Sequence, residues 1–303
     1  MKEFAVASFY RFVDVDDPDR AKAAVQAACE ARDLLGTVLL ATEGVNGSLT
    51  GRRDATAGAL AEIEHILGLS EPLDARWTTA GEPPFRRLKV RVKEEIVTLG
   101  RPDLRPHRRT GRHVSPEEWN QLIRDPDTLI IDTRNDYEIE VGTFPGAVDP
   151  GTRNFREFPD FVAALPEGER QRPVAMFCTG GIRCEKASAL MLDAGFDNVM
   201  QLDGGILSYL DQVGDDANAW DGECFVFDTR VAVDKDLTEG GYVQCHACRR
   251  PLSQDDLKSP DYREGVSCPR CIGSADEERR ARLEERRRQV RLARERGKKH
   301  IGA

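Results

Sequence analysis

Cys178-Thr179-Gly180-Gly181-Ile182-Arg183 is preceded by Pro173-Val174-Ala175-Met176-Phe177 and followed by Cys184-Glu185-Lys186-Ala187-Ser188-Ala189-Leu190-Met191-Leu192. The upstream run is short and apolar, the pattern of a buried strand. The downstream run carries good helix formers with apolar residues at helical spacing, and Gly195 follows as a stop. The stretch therefore predicts a strand ending at Cys178, a tight loop and a helix N-terminus, the unit of an α/β sheet. Gly180 and Gly181 permit a turn sharp enough for successive N–H groups to converge on one point. With the positive end of the helix dipole and Arg183, these amides favour an anion at the Cys178 sulfur. Such surroundings lower a thiol pKa and hold a nucleophilic thiolate or a terminal persulfide. Simple burial is the alternative for a free cysteine, but packing does not call for two glycines and an arginine around one sulfur. Cys184, in the first helical turn, reads either as a packed core residue, the commoner case, or as a second thiol for Cys178.

Around this unit the pattern alternates between strands and helices. Ser115-Pro116-Glu117-Glu118 is a helix start, with Ser as N-cap, Pro at the first helical position and Glu118 completing a capping box. Thr128 to Ile131 reads as a buried strand that ends in Asp132-Thr133-Arg134, and a further short strand follows Pro145-Gly146-Ala147-Val148. A helix near Asp160–Ala164, a strand at Val199–Leu202 and a last helix opened by Gly204-Gly205-Ile206 complete a mostly parallel α/β domain over residues 114–214. In such sheets, functional loops lie at the carboxyl ends of the strands, where Cys178 and the Asp132-Thr133-Arg134 segment both fall. Asp132 and Arg134 are expected to serve as an ion-pair and hydrogen-bond scaffold for the loop, with direct chemistry as the other role, because buried charges are usually paired.

Residues 1–100 read differently. A strand over Glu3–Val13, a helix over Ala21–Ala31, strands at Leu35–Ala41 and Ser48–Thr50, a helix over Asp54–Leu67 and strands near Asp74–Thr79 and Leu88–Leu99 form a split βαβ, ferredoxin-like pattern. Glu43-Gly44-Val45-Asn46-Gly47 is expected to be the turn of a hairpin, with a substrate contact as its other possible role. The composition then shifts over 101–113, where Arg101, Arg105, Arg108, Arg109 and Arg112 are interleaved with two prolines and a glycine. This is a linker signature, and its basic strip is a candidate for phosphate contacts.

Beyond Gly214 the chain changes again. Cys224 belongs to a short strand and reads as buried and inert. Cys245-His246-Ala247-Cys248 and Cys268-Pro269-Arg270-Cys271 are two Cys-x-x-Cys pairs separated by about 15–20 residues, the signature of a structural zinc site over 215–275. Four thiolates close a tetrahedron and leave no open position; His246 could stand in for one of them. Residues 276–303 are nearly all charge, with 11 Lys and Arg against 6 Asp and Glu. This tail is expected to form a solvated helix held by i,i+4 pairs, serving either solubility or phosphate binding.

The 303 residues contain 40% hydrophobic and 32% charged residues, a composition that fits a soluble chain of two to three domains. No stretch has the roughly 20 apolar residues of a membrane span, and the N-terminus has no signal-peptide pattern. A cytosolic setting with reduced or metal-bound cysteines is therefore expected. The formal charge of −9 argues against a chain coated uniformly by nucleic acid, so any RNA would be held by local patches. Nothing in the sequence fits a flavin or haem site.

Asp132-Thr133-Arg134, Tyr137-Glu138, Phe144-Pro145-Gly146-Ala147, the Cys178–Arg183 loop and Asp203-Gly204-Gly205 resemble the ordered motifs of a rhodanese domain. Cys-x-x-x-x-Arg resembles the sulfur-handling loop; the related phosphatases have one residue more. Thr143 departs from the histidine found at that position in many rhodaneses. Taken with the N-terminal Glu43–Gly47 segment and the C-terminal cysteines, the chain resembles the bacterial oxygen-dependent tRNA uridine(34) hydroxylases up to about Cys271. That resemblance implies hydroxylation of the wobble uridine at C5, using molecular oxygen and a reductant. It also implies tRNA, through its anticodon arm, as substrate, and Cys178 as active-site cysteine. A rhodanese-type sulfurtransferase and a non-enzymatic tRNA- or protein-binding module are the other two functions compatible with the sequence.

Overall fold

A computed structural model describes residues 4–274 and 276–297. Glu3, at the start of the expected first strand, Ala275 and residues 298–303 of the expected tail lie outside the described residues. The chain forms two compact units, Met1–Asp136 with Phe144–Ala219, and Tyr137–Thr143 with Trp220–Ala303.

The first unit opens with β1 (Phe4–Phe12), α1 (Pro18–Glu30), β2 (Leu35–Ala41), β3 (Gly44–Gly51), α2 (Arg53–Leu67), β4 (Arg76–Ala80) and β5 (Leu88–Val92). The five strands lie in the order β4-β1-β3-β2-β5, the split βαβ arrangement with β5 added in parallel beside β2. Alternation along the strands decides which face is covered. Ala7, Phe9, Val38, Leu40, Val45 and Leu49 point into a core shared with Val25, Cys29, Leu60 and Ile63 of the helices. The neighbouring residues Ser8, Tyr10, Asn46 and Ser48 therefore occupy the helix-free face.

Two expectations are corrected here. Glu43-Gly44-Val45-Asn46-Gly47 is not a turn: Gly44 starts β3, and the reversal is made at Thr42-Glu43. Glycine is required here by close approach within the sheet, since a Cβ on Gly44 (φ +141°) would lie 2.0 Å from the Arg11 carbonyl oxygen. The strand expected over Leu88–Leu99 stops at Val92, and the residues after it are held instead through the Glu95 and Glu43 side chains.

The second sheet of this unit contains β6 (Arg112–Val114), α3 (Pro116–Leu122), β7 (Leu129–Asp132), α4 (Asp136–Ile139), β8 (Gly142–Thr143), α5 (Phe158–Ala164), β9 (Val174–Phe177), α6 (Ile182–Asp193), β10 (Val199–Leu202) and α7 (Gly205–Gln212) in chain order; most of α4 and all of β8 belong to the other unit. Its strands are parallel in the order β6-β10-β9-β7, with Val148 bridging Ile131 at the β7 side. Arg112 and His113, expected at the end of a linker, form the first strand; three residues with two charged or polar side chains carry no readable alternation. Ser115 caps α3 as expected by accepting from the Glu118 amide, but the Glu118 carboxylate is drawn to Arg112 at 2.7 Å and does not close a capping box. Trp119, Phe144, Phe177 and Tyr209 stack at centroid distances of 4.9–5.6 Å beneath the sheet.

In the second unit, β8 pairs with β11 (Asp221–Gly222), β12 (Cys224–Phe225) with β13 (Ala232–Val233), and β14 (Val243–Gln244) with β15 (Pro251–Leu252). Cys224 is buried, and α8 (Gln254–Lys258) and α9 (Glu277–Glu295) follow. α9 has no buried residue and is laced by Arg–Glu pairs such as Arg288–Glu285, a solvated helix as its charge pattern predicts.

Candidate active site

Cys178 follows the last residue of β9, and Thr179-Gly180-Gly181 turn the chain into α6. Gly181 has φ +93°, a conformation that favours glycine, and its amide donates to Cys178 Sγ at 3.1 Å. Burial alone would push the Cys178 thiol up. The Cys184 S–H, the Arg183 charge and the Cys184 and Arg183 amides outweigh it and bring the pKa down to about 6. Cys184 shifts the opposite way: burial and the neighbouring Cys178 thiolate hold it well above the usual range. It therefore stays protonated, 3.6 Å from Thr133 Oγ1, and sits in the same apolar core as Cys178. Arg183 is itself buried and reaches back to Thr179 Oγ1 at 3.3 Å. Asp132 and Arg134 are wholly buried and paired at 2.6 Å, and Thr133 donates to the Phe177 carbonyl at 3.0 Å, tying the end of β7 to the end of β9.

The N-terminal sheet is pressed against this loop. A Cβ on Gly181 would meet the Tyr10 hydroxyl at 2.8 Å, and one on Gly204 would overlap the Arg76 guanidinium. Gly205 (φ +67°) lets the start of α7 approach the loop so closely that a Cβ there would lie 2.4 Å from the Cys178 carbonyl oxygen. Between the helix-free face of the sheet and the loop lies a cleft of about 530 Å³. Its walls include Ser8, Tyr10, Asn46 and Ser48 on one side and Gly180, Ile182, Glu185 and His113 on the other. Cys178 is fully buried behind this lining.

Two polar networks fasten the halves of the cleft, and neither was visible from sequence spacing. Lys186, fully buried on α6, reaches Glu43 at 2.8 Å and also Glu95. Glu43 in turn accepts from the Ile96 amide, and Glu95 from those of Leu99 and Gly100. Burial raises the Glu43 carboxyl despite the Lys186 bond. Glu95 ends below the usual range: burial opposes ionisation there, but Lys186 and the two amides outweigh it. In the second network Glu185 accepts from Thr110 at 2.9 Å, Gln201 at 3.1 Å and Tyr10 at 3.4 Å, and pairs with His113 at 2.9 Å.

The linker arginines are largely engaged. Arg101 pairs with Asp103 and Asp193, Arg105 and Arg108 with Asp14, and Arg112 with Glu118, whereas Arg109 is exposed with no ion pair among the described residues. In the second unit the Sγ atoms of Cys245, Cys248, Cys268 and Cys271 lie within 4.8 Å of one another, a group able to hold a metal ion. His246 is not part of this group. Among the described residues no helix is long and apolar enough to cross a membrane.

The split βαβ sheet and the cysteine loop between parallel strand and helix define a rhodanese-type protein with an added N-terminal domain. The profile of the UPF0176 acylphosphatase-like domain matches residues 4–96, and that of the rhodanese-like domain matches 115–212. The tRNA uridine(34) hydroxylase of Mesorhizobium japonicum is 50% identical over 299 residues, covering 98% of this chain and 96% of the relative. The protein of the same name from Acaryochloris marina is 46% identical over 309 residues, covering 100% and 97%. The chain belongs to the tRNA uridine(34) hydroxylase family.

Proposed function

We propose that this protein hydroxylates C5 of the wobble uridine of tRNA, with Cys178 as nucleophile. The observation that carries the reading is the cleft: its volume suits a nucleotide, and it opens beside a low-pKa cysteine in a chain of this family. The thiolate adds to C6 of the uracil, which makes C5 nucleophilic. One atom of dioxygen enters at C5, the other leaves as water, and a reductant supplies two electrons. Since Cys178 is buried, addition requires the glycine loop or Tyr10 to yield as the anticodon loop enters. The polar groups of Ser8, Asn46 and Ser48 offer partners for the pyrimidine edge. Arg105, Arg108 and Arg109 are candidates for phosphate contact on the anticodon arm, and the reaction belongs to the cytoplasm, where tRNA is found.

The four C-terminal cysteines hold a structural zinc in this reading. Tetrahedral Zn–S bonds of about 2.3 Å place sulfurs roughly 3.8 Å apart, and the Cys248–Cys268 and Cys268–Cys271 distances of 3.7 and 3.5 Å suit that arrangement.

The test is nucleoside analysis of tRNA from a deletion strain. Loss of 5-hydroxyuridine derivatives, restored by the wild-type gene but not by Cys178→Ser, is expected, because a hydroxyl in the same cradle stays protonated. Loss of thiolated nucleosides instead would make the protein a sulfurtransferase, a role the Cys178 cradle would equally serve. No change in either class would leave a binding module.

A further inference from the structure

Glu185 and His113 stand in the cleft without a part in the chemistry described so far. Glu185 lies one residue beyond Cys184 on α6, and His113 is on β6 at the opposite edge of its sheet from β7. The carboxylate is buried, with only 11% of its side chain exposed, yet it is fully engaged: Oε1 meets His113 Nε2 and the Tyr10 hydroxyl, and Oε2 accepts from Thr110 and Gln201. A carboxylate supplied with this many donors stays ionised in a dry site. The His113 side chain is 44% exposed, lines the cleft, and has no hydrogen bond to its second ring nitrogen among the described residues. This is the arrangement of an acid–base histidine: one nitrogen is fixed by a buried carboxylate, and the ring is open to a ligand.

We propose that His113 is the acid–base residue of the cleft and that Glu185 is the positioning residue that keeps it charged. The inference rests on the hydroxylase reading. As Cys178 sulfur bonds to C6, the C5=C6 electron pair moves towards O4, and the His113 imidazolium protonates O4 to give an enol. The enol C5 attacks an oxygen at the peroxide level, formed from dioxygen and two electrons from the external reductant. The O–O bond breaks, and the departing hydroxide leaves as water with the enol proton. Neutral His113 then takes the C5 proton, the C5=C6 bond re-forms, and the C6–S bond breaks to release the thiolate. His113 ends protonated, as it began. Without it, O4 must carry charge with no acid to neutralise it and the C5 proton has no acceptor.

The charges that act on the ring are Glu185 from α6 and Asp203 after β10; Tyr10, Arg11, Asp74, Arg76 and His107 are the other charged or titratable groups on the lining. The Glu185 hydrogen bond raises the His113 pKa against the opposing effect of burial, with Asp203 adding to it. A raised pKa keeps the imidazolium to higher pH, so the acid form is present as the enzyme meets substrate.

The experiment uses purified full-length protein added to extract of the deletion strain, which supplies tRNA and reductant, with 5-hydroxyuridine measured against added tRNA. His113→Ala is expected to lower kcat by about 10²–10⁴-fold with little change in KM, and added imidazole is expected to restore part of the rate. Glu185→Gln is expected to move the upper pH limb of kcat downwards, since the carboxylate is what raises the His113 pKa. Wild-type rates for His113→Ala, a loss confined to KM, or a loss that imidazole cannot repair would each overturn the inference while wild-type activity upholds the hydroxylase reading. A wild-type protein that forms no 5-hydroxyuridine would overturn that reading and this inference together.

Discussion

The protein sets its cysteines in two contrasting surroundings. Around Cys178 the anion is favoured by an amide at 3.1 Å, the Arg183 charge and one protonated neighbouring thiol. Cys245, Cys248, Cys268 and Cys271 instead cluster with their four sulfurs within 4.8 Å of one another. An isolated thiolate in a cradle of donors can be kept anionic and spent on a substrate. Four thiols together cannot all ionise unless a cation joins them, and once joined they are inert. In the proposed function the same residue serves reaction in one region and cohesion in the other, and substitution should separate the two. Cys178→Ser, argued above, should abolish modification while leaving thermal stability close to wild type.

The reciprocal change should have the opposite signature. Cys245→Ser is expected to lower bound zinc from about one equivalent to near zero. The C-terminal unit should unfold with it, since a structural site contributes its binding free energy to folding. The Met1–Asp136 and Phe144–Ala219 unit should melt as before. Elemental analysis with calorimetry checks both parts. Metal-free wild-type protein with four freely titrating C-terminal thiols would collapse the contrast.

A third change probes what braces the reactive side. Lys186 is a fully buried cation between two buried carboxylates. Lys186→Met should destabilise the first unit by about 3–5 kcal/mol, because it leaves Glu43 and Glu95 uncompensated. Adding Glu43→Gln and Glu95→Gln to that background should recover much of the loss, and urea denaturation measures both. A single variant with wild-type stability would mean that the triad is not what fastens α6 to the N-terminal sheet.

These residues also mark the limit of what the sequence disclosed. The Cys178 loop was legible because its strand, glycines and helix are contiguous, and the C-terminal cysteine cluster because its spacing is a ligand pattern in itself. Asp132 and Arg134 were legible as a scaffold, because charges beside a buried strand are usually paired; that they pair with each other is the structure's finding. Glu43 and Lys186 are 143 positions apart, and Tyr10 and Glu185 are 175 apart. No local period links such residues, and only the packing of one sheet on another brings them together. The Glu43–Gly47 segment was misread for a related reason. Glycine signals a turn when the chain is considered alone, but here Gly47 makes room for a neighbouring strand, its absent Cβ lying 2.8 Å from the Phe9 ring. His113 was passed over as part of a basic linker, since nothing in Arg112-His113-Val114 announces a strand.

The smallest effect expected concerns which region meets the RNA. The linker arginines looked like a free basic strip, but Arg101 and Arg112 are closely held by carboxylates, at 2.6–2.9 Å. Arg108 is bound to Asp14 at 2.7 Å with 68% of its side chain exposed, and an exposed pair of this kind is worth little and is readily exchanged for phosphate. Arg109 is exposed as well. Each phosphate neutralised lowers the salt slope of log K by about 0.7–0.9. Arg108→Ala with Arg109→Ala should therefore weaken tRNA binding and reduce that slope by about one to two units. Arg101→Ala with Arg112→Ala should change it less, since Arg101 is held by two carboxylates and Arg112 by both oxygens of Glu118. Removing the chain after Gly273 should also weaken binding less than the Arg108 and Arg109 changes, because the α9 arginines belong to the cohesive unit and not to the unit that holds the cleft. Binding measured across a salt series distinguishes the cases. A slope untouched by the linker pair but flattened by loss of the tail would assign RNA capture to the C-terminal unit, and the division between a reactive and a cohesive region would no longer hold.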